Sequence, residues 1–220
     1  MSAGVDIAVI ENAARDLEGA DPGAVISWAV ESFEDGVVVA SSFQDAVLLE
    51  MASKVAPNLE VIFLDTKFHF PETLAYMRHC QQIYGLNLKV LEPTVGIEEF
   101  PCGVEHCCEY RKVAPMNDYL ADKKAWITGL KRVDTPERAN APVVSYDEAR
   151  GLVKINPLVS WTDDDVDDYV DAHGLPRHPL NFVGYISIGC APTTRPVAPG
   201  ENPRAGRFAG MDKTECGLHI

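Results

Sequence analysis

The chain has 220 residues, of which 46% are hydrophobic and 24% charged, and its formal net charge at pH 7 is -14. This balance predicts one soluble globular domain, and the negative charge argues against a nucleic-acid binder, because a phosphate backbone requires a basic surface. The N-terminus has no basic stretch leading into an apolar run, and no segment has the length and apolar character of a membrane span. We therefore expect a cytoplasmic protein with no membrane anchor.

The first region, residues 1–34, is predicted to form two helices. Apolar residues recur at a spacing of three to four in DIAVIENAARDL and in DPGAVISWAVESF, where Asp21 is a plausible cap and Pro22 suits the first helical turn.

Residues 35–188 alternate two kinds of pattern. Short β-branched runs predict strands at GVVVASSF, LEVIFLD, LKVLEP and AWITGL. Helical periodicity follows in QDAVLLEMASKVA, in PETLAYMRHCQQIYG, and around CCEYRKVAPMNDYLA, which Pro115 could kink or break. The acidic run SWTDDDVDDYVDAHG is predicted to be a solvated helix that begins after Thr162. Strands alternating with helices predict an α/β fold with an open, mostly parallel sheet and flanking helices.

The last region, residues 189–220, is rich in Pro, Gly and charge and has no periodicity. It is predicted to be a cysteine-containing loop followed by a mobile C-terminal tail.

Polar or small residues stand at three predicted strand ends: Ser41 and Ser42, Asp65 and Thr66, and the run from Gly129 to Arg132. Open parallel sheets bind ligands at this edge. The turn SSFQDAV also precedes a helix, whose N-terminal amides favour an anion. It lacks the glycines and lysine of a Walker loop, and taken alone it is equally compatible with a structural turn.

The six cysteines fall into different settings. Cys107 and Cys108 are adjacent and precede Arg111 and Lys112, while Cys190 lies in a loop flanked by Gly and Pro. Thiolates near cations suit metal ligation or redox chemistry, so an iron-sulfur cluster, zinc and a vicinal disulfide all remain open at this point.

Cys216 lies four residues from the C-terminus beside Gly217, as either a mobile nucleophile or a stray exposed thiol. Cys80 fits a buried helix face, and Cys102 has no clear role.

Six segments in order, CCEYRKVAP, WITGLKRVDTPERAN, INPL, GYISIGCAP, RPVAPGENPRAGR and KTECGLH, closely resemble the assimilatory adenylyl-sulfate reductases of bacteria, relatives of the 3'-phosphoadenylyl-sulfate reductases. The resemblance extends from the strand before Ser41 to the end of the chain. It implies an adenine-nucleotide α-hydrolase-like sheet. It also implies reduction of adenylyl sulfate to sulfite and AMP, with Cys216 as the nucleophile that becomes S-sulfonated and thioredoxin, or a similar dithiol, as reductant.

The same resemblance assigns substrate-binding residues. Those at the first two strand ends are Ser41, Ser42, Phe43, Gln44, Asp45, Leu64, Asp65 and Thr66; the family usually has Gly where this chain has Lys67. The remainder are Lys112, Gly129, Lys131, Arg132, Arg138, Arg204, Arg207 and His219. A cluster of cations in an acidic protein favours an anionic substrate.

Members of the family that use adenylyl sulfate carry two adjacent cysteines and a CxxC pair as ligands of a 4Fe-4S cluster. Cys107, Cys108 and Cys190 match those positions, but the fourth is Thr193, and a hydroxyl is a poor ligand for iron. The resemblance still favours a cluster, because three ligands and Lys112 are retained.

Three alternatives remain. A 3'-phosphoadenylyl-sulfate reductase would share Cys216 but generally lacks the adjacent cysteines, and an ATP pyrophosphatase of this fold would carry an SGGxDS turn. A non-catalytic iron-sulfur or zinc module would need neither Cys216 nor the arginines. The sequence does not determine whether the chain forms a homo-oligomer.

Overall fold

The computed structural model describes residues 6–211, 213 and 215–218. Its centre is a six-stranded sheet in the order β3-β2-β1-β4-β6-β5. The strands are β1 (Val37–Ala40), β2 (Glu60–Leu64), β3 (Asn87–Leu91), β4 (Ala125–Thr128), β5 (Val144–Asp147) and β6 (Leu152–Ile155). All neighbouring strands run parallel except β5 and β6, which form an antiparallel hairpin at one edge.

Six α-helices accompany the described sheet: α1 (Ile7–Asp16), α2 (Pro22–Phe33), α3 (Val47–Val55), α4 (Pro71–Tyr84), α5 (Ala114–Leu120) and α6 (Asp163–His173). Their starts follow from local chemistry. The Asp21 carboxylate accepts hydrogen bonds from the amides of Gly23 and Ala24, and Thr162 forms a capping box with Asp165. Both starts confirm the sequence predictions.

Pro115 lies in the first turn of α5, directly after a π-helical turn over Glu109–Val113. Proline has no backbone amide to donate, so the regular α-helical ladder begins there rather than passing through it. The predicted interruption of this helical stretch is confirmed.

The two faces of the sheet bury different residues, because successive side chains on a strand point in opposite directions. Val37 and Val39 belong to the larger core beneath α1, α2, α3, α4 and α6, whereas Val38 belongs to a smaller core with Trp126 and with Met116 of α5. The mostly parallel α/β fold is confirmed. Among the described residues, no helix combines the length and apolar character needed to cross a bilayer.

Candidate functional site

A cavity of about 1440 Å³, including the part open to solvent, lies at the carboxyl ends of β1, β2 and β4. The strand order reverses between β1 and β4, and ligands of doubly wound sheets bind at such a point. Most of the predicted substrate-binding residues line it: Ser41, Ser42, Gln44, Asp45, Leu64, Lys112, Gly129, Lys131, Arg138, Arg204 and Arg207, together with Cys216.

The turn after β1 is held by its own side chains. Ser41 Oγ accepts a hydrogen bond from the Phe43 amide at 3.0 Å, and Asp45 Oδ1 accepts one from the Val47 amide at 3.0 Å. Phe43 adopts a left-handed backbone (φ 55°) and buries its ring edge-on against Phe63, 5.4 Å between centroids. Phe43 therefore anchors the turn in the core rather than lining the cavity.

The turn after β2 explains the usual glycine of the family. Lys67 occupies that position with φ 67°, a left-handed conformation that glycine adopts without strain. Its ammonium pairs with Asp65 at 2.9 Å and Glu92 at 2.6 Å. Burial opposes the charge of Asp65, but hydrogen bonds from the Lys67 side chain and amide leave its pKa below the ordinary value. Asp65 does not line either of the two described cavities, and the charge of Lys67 is paired with Asp65 and Glu92.

Two adjacent basic residues after β4 face different ways. Lys131 lines the cavity and pairs with Asp163 and, at 3.7 Å, with Asp134. Arg132 instead donates to both carboxylate oxygens of Glu18, at 2.6 and 2.9 Å, and to the Ala141 carbonyl. The structure brings Lys131 to the site and does not bring Arg132.

The described part of the tail is docked against the core through Glu215. Arg138 donates to both of its carboxylate oxygens, at 2.6 and 2.7 Å, and Thr135 donates at 3.1 Å. Glu215 and Arg138 are each only 8% exposed. The neighbouring Cys216 is thereby held in the cavity wall. His219 lies outside the described residues.

Lys112 and Arg207 differ from the other cations. Within the described chain neither forms a salt bridge, whereas Lys131, Arg138 and Arg204 all do. Arg207 donates to the Ile188 carbonyl at 2.9 Å. Loss of hydration lowers the pKa of Arg207, and nearby Arg204 lowers it further. Burial also opposes the charge on Lys112, but the neighbouring thiols of Cys190 and Cys216 raise its pKa above the ordinary value.

Several residues of this site were missed at the sequence level, among them Gly189 and His69. At Gly189 a Cβ atom would lie 2.7 Å from Arg207 Nε, so the missing side chain lets the guanidinium lie against the backbone. His69 lines the cavity and donates from Nε2 to the Leu64 carbonyl at 2.9 Å, while burial lowers its pKa. The glycine in SIGCAP and the histidine after the β2 turn were the available signals.

A second, smaller cavity of about 390 Å³, again including open space, adjoins the first and shares Lys112 and Arg207 with it. Its wall contains Thr66 and Thr193 and four of the cysteines: Cys102, Cys107, Cys108 and Cys190. Thr66 therefore belongs to this cavity and contacts Cys190 Sγ through Oγ1 at 3.3 Å.

The thiols of this cavity receive several hydrogen bonds. The Gly103 amide donates to Cys107 Sγ at 3.4 Å, and Lys213 Nζ donates to Cys108 Sγ at 3.3 Å. A hydrogen bond from the Cys102 thiol is the main cause that lowers the pKa of Cys190, with Lys112 acting in the same direction.

All six cysteines are free thiols, and the sulfurs of Cys107 and Cys108 are 4.0 Å apart, so the vicinal disulfide is not formed. Among the residues described, no group of three or more Cys, His, Asp or Glu side chains is arranged to hold a metal ion.

Comparison with known proteins agrees with this geometry. The sequence profile of the phosphoadenosine phosphosulfate reductase domain matches residues 36–196. The adenosine 5'-phosphosulfate reductase of Mycolicibacterium smegmatis is 45% identical, over 96% of this chain and 93% of that protein.

Among solved structures, the phosphoadenylyl-sulfate reductase of Candida auris in its phosphate complex superposes with a TM-score of 0.74 at 27% identity, covering 90% of this chain and 100% of that one. The FMN adenylyltransferase of Candida glabrata, with FAD and inorganic pyrophosphate, gives a TM-score of 0.63 at 14% identity over 92% of this chain and 72% of that one, a likeness of fold alone. The resemblance found from the sequence motifs is confirmed, and the chain belongs to the phosphoadenosine phosphosulfate reductase family of sulfur oxidoreductases.

Proposed function

We propose that this protein reduces adenylyl sulfate to sulfite and AMP, with Cys216 as the nucleophile and a dithiol protein of the thioredoxin type as the electron donor. The observation that carries the proposal is the position of Cys216. It lies in the wall of the strand-end cavity that also contains Lys112 and Arg207. A thiol beside two cations that have no carboxylate partner among the described residues is suited to attack an anionic sulfur centre, since thiolate and anion are both stabilised there.

The adenosine part of the substrate fits the larger of the two described cavities. Leu48, Leu64, Met116 and Trp126 supply apolar walls, and the Ser41–Asp45 turn with the N-terminus of α3 supplies polar groups. The sulfo and phosphate groups then face Lys112 and Arg207, because the other described cations at the cavity are already paired with Asp or Glu.

In the first step the Cys216 thiolate attacks the sulfur of the sulfo group. A new S–S bond forms, and the bond from sulfur to the phosphate oxygen breaks, with its electron pair leaving on AMP. Lys112 and Arg207 stabilise the charge that develops on the oxygens. The product on the protein is S-sulfocysteine.

In the second step a thiolate of the reductant attacks Cys216 Sγ and expels sulfite with the electron pair of the S–S bond. The second thiol of the reductant resolves the mixed disulfide and regenerates Cys216. One dithiol is thereby oxidised to a disulfide, and its two electrons reduce the sulfur of the sulfo group to sulfite.

We also propose that Cys107, Cys108 and Cys190 hold an iron-sulfur cluster of the 4Fe-4S type. Their thiols share one cavity wall. Cys107 and Cys108 accept hydrogen bonds and Cys190 contacts the Thr66 hydroxyl, which are interactions of the kind that tune such centres. When bound, a cluster of this type supplies a one-electron centre whose potential depends on burial and hydrogen bonding. The two steps at Cys216 use only thiol electrons.

The direct test is the intact mass of the protein after anaerobic incubation with adenylyl sulfate and no reductant, followed by peptide mapping. We expect a gain of one SO3 group on Cys216. An adduct formed only with 3'-phosphoadenylyl sulfate would transfer the assignment to that substrate, and no adduct with either compound would reject the proposed nucleophile.

A second test separates Arg207 from Arg132, both of which the family resemblance assigns to the substrate. Replacing Arg207 with Ala should weaken binding of adenylyl sulfate at least about tenfold, because a charge-assisted contact is lost, and Arg207→Lys should recover part of the affinity. Calorimetry in the Cys216→Ser background measures binding without turnover.

Arg132→Ala is the matched control, because the guanidinium of Arg132 forms an ion pair with Glu18. We expect its affinity to equal that of the parent protein. Equal losses in Arg132→Ala and Arg207→Ala would contradict the assignment of Arg207 to the anion.

A further inference from the structure

Cys102 lies beside Thr193, the position at which this chain lacks the fourth cysteine of the family's ligand set. Its Sγ is 3.8 Å from Thr193 Oγ1, although the two residues are 91 positions apart in the chain. Cys102 also lines the same cavity as Cys190, the partner of Thr193 in the interrupted CxxC pattern. A side chain from another loop thus brings a sulfur atom next to the hydroxyl that replaces the fourth thiol.

The loop that carries Cys102 is held firmly in this place. Arg111 is 2% exposed, and its guanidinium donates to the carbonyls of Phe100 at 2.7 Å, Thr66 at 3.3 Å and Gly96. The Phe100 ring also packs on Tyr110 with 4.2 Å between centroids. These contacts fix the backbone just before Cys102 to the turn after β2 and to the π-helical turn.

The residue after Cys102 strengthens the same arrangement. Gly103 has φ 95°, which only glycine adopts readily, and its amide donates to Cys107 Sγ. A Cβ atom on Gly103 would lie 3.4 Å from Thr193 Cγ2. The loop therefore passes close to both Thr193 and Cys107, and Cys102 lines the cavity with Cys107, Cys108 and Cys190.

From this geometry we infer that Cys102 is the fourth ligand of the cluster and replaces the thiol that Thr193 lacks. The inference rests on the proposal that the other three cysteines hold a cluster. Four thiolates are the usual complement of a 4Fe-4S centre, and Cys102 loses its proton on binding iron as the other thiols do. Thr193 cannot take this part, because a neutral hydroxyl is a weak donor to iron beside a thiolate.

The experiment measures iron, acid-labile sulfide and the EPR spectrum of the full-length protein, purified without oxygen. It compares the parent with Cys102→Ser, Thr193→Cys and the double variant Cys102→Ser/Thr193→Cys. Cys80→Ser is the matched control, because Cys80 is a fully buried thiol on α4 outside the cavity.

We expect about four irons per chain in the parent and in Cys80→Ser. Cys102→Ser should lose one iron, with the EPR signal of a three-iron cluster, or lose the cluster entirely. The double variant should regain the parental iron, sulfide and spectrum, because it restores a fourth thiol from the CxxC position. Recovery in the double variant excludes misfolding as the cause of the loss.

Parental iron content in Cys102→Ser would overturn the inference, as would a double variant that stays deficient. If the parent holds no iron but Thr193→Cys does, the inference about Cys102 is wrong, and the proposed cluster site at Cys107, Cys108 and Cys190 is retained. If none of the proteins binds iron, the cluster proposal fails together with the inference. The Cys216 adduct is measured on the same samples, so the proposed reduction is judged separately.

Discussion

Replacing Cys216 with Ser should abolish sulfite formation, lowering turnover at least about a thousandfold, because a serine hydroxyl has no thiolate character and its sulfated product could not be reduced by a dithiol. Binding of adenylyl sulfate should change little, since Cys216 is one of many residues in the cavity wall. Sulfite release and calorimetric affinity are the two readouts.

The same variant tests whether Cys216 is independent of the cavity lined by four of the other cysteines. Cys216 is not part of the wall formed by Cys102, Cys107, Cys108 and Cys190, so iron content should be the same in Cys216→Ser and in the parent. Cys80→Ser controls for loss of any thiol and should retain full turnover. Undiminished sulfite production by Cys216→Ser would refute the proposed nucleophile.

The fold was accessible from the sequence because its strands and helices carry strong periodic signals. The β-branched run of β1 and the caps at Asp21 and Thr162 predict their elements directly. The β5–β6 hairpin was missed. In its outer strand only Val144 is buried, so β5 lacks the continuous apolar run that marks a fully buried strand such as β1.

The candidate site was only partly predictable, because side-chain direction depends on distant partners. Lys131 and Arg132 are adjacent in sequence and both are basic. Arg132 forms an ion pair with Glu18, which follows α1, and only Lys131 lines the cavity. The contact between Cys102 and Thr193 likewise depends on how two separate loops meet. Motif matching can place residues in a family pattern, but it does not say which carboxylate each cation has already bound.

Arg138 illustrates this last point. Family resemblance assigns it to the substrate, yet here its three nitrogen donors bind protein carboxylates: Nε and Nη2 contact Glu215, and Nη1 contacts Asp134 at 2.9 Å. Because Glu215 precedes Cys216, the Arg138–Glu215 pair fixes the backbone that carries the proposed nucleophile. We therefore expect Arg138 to act first as an anchor of the tail.

Replacing Arg138 with Met should release the tail. Removing one partner of a buried ion pair costs about 3–5 kcal/mol, because the remaining carboxylate has lost its compensating charge. Amide exchange over residues 213–218 should accelerate about a hundredfold or more without any nucleotide present, and turnover should fall with it. Hydrogen-exchange mass spectrometry of the nucleotide-free protein makes the measurement, so a lost substrate contact cannot account for the result.

Arg150→Met is the matched control, because Arg150 pairs with Asp147 at 2.9 Å with similarly small exposure, but in the β5–β6 hairpin. It should leave tail exchange unchanged. The double variant Arg138→Met/Glu215→Leu removes the stranded charge and should lose less than the sum of the single variants, which is the signature of direct coupling. Tail amides that exchange equally fast in the parent and in Arg138→Met would show that the tail is already free in solution, as its composition predicts, and that the buried pair does not hold it.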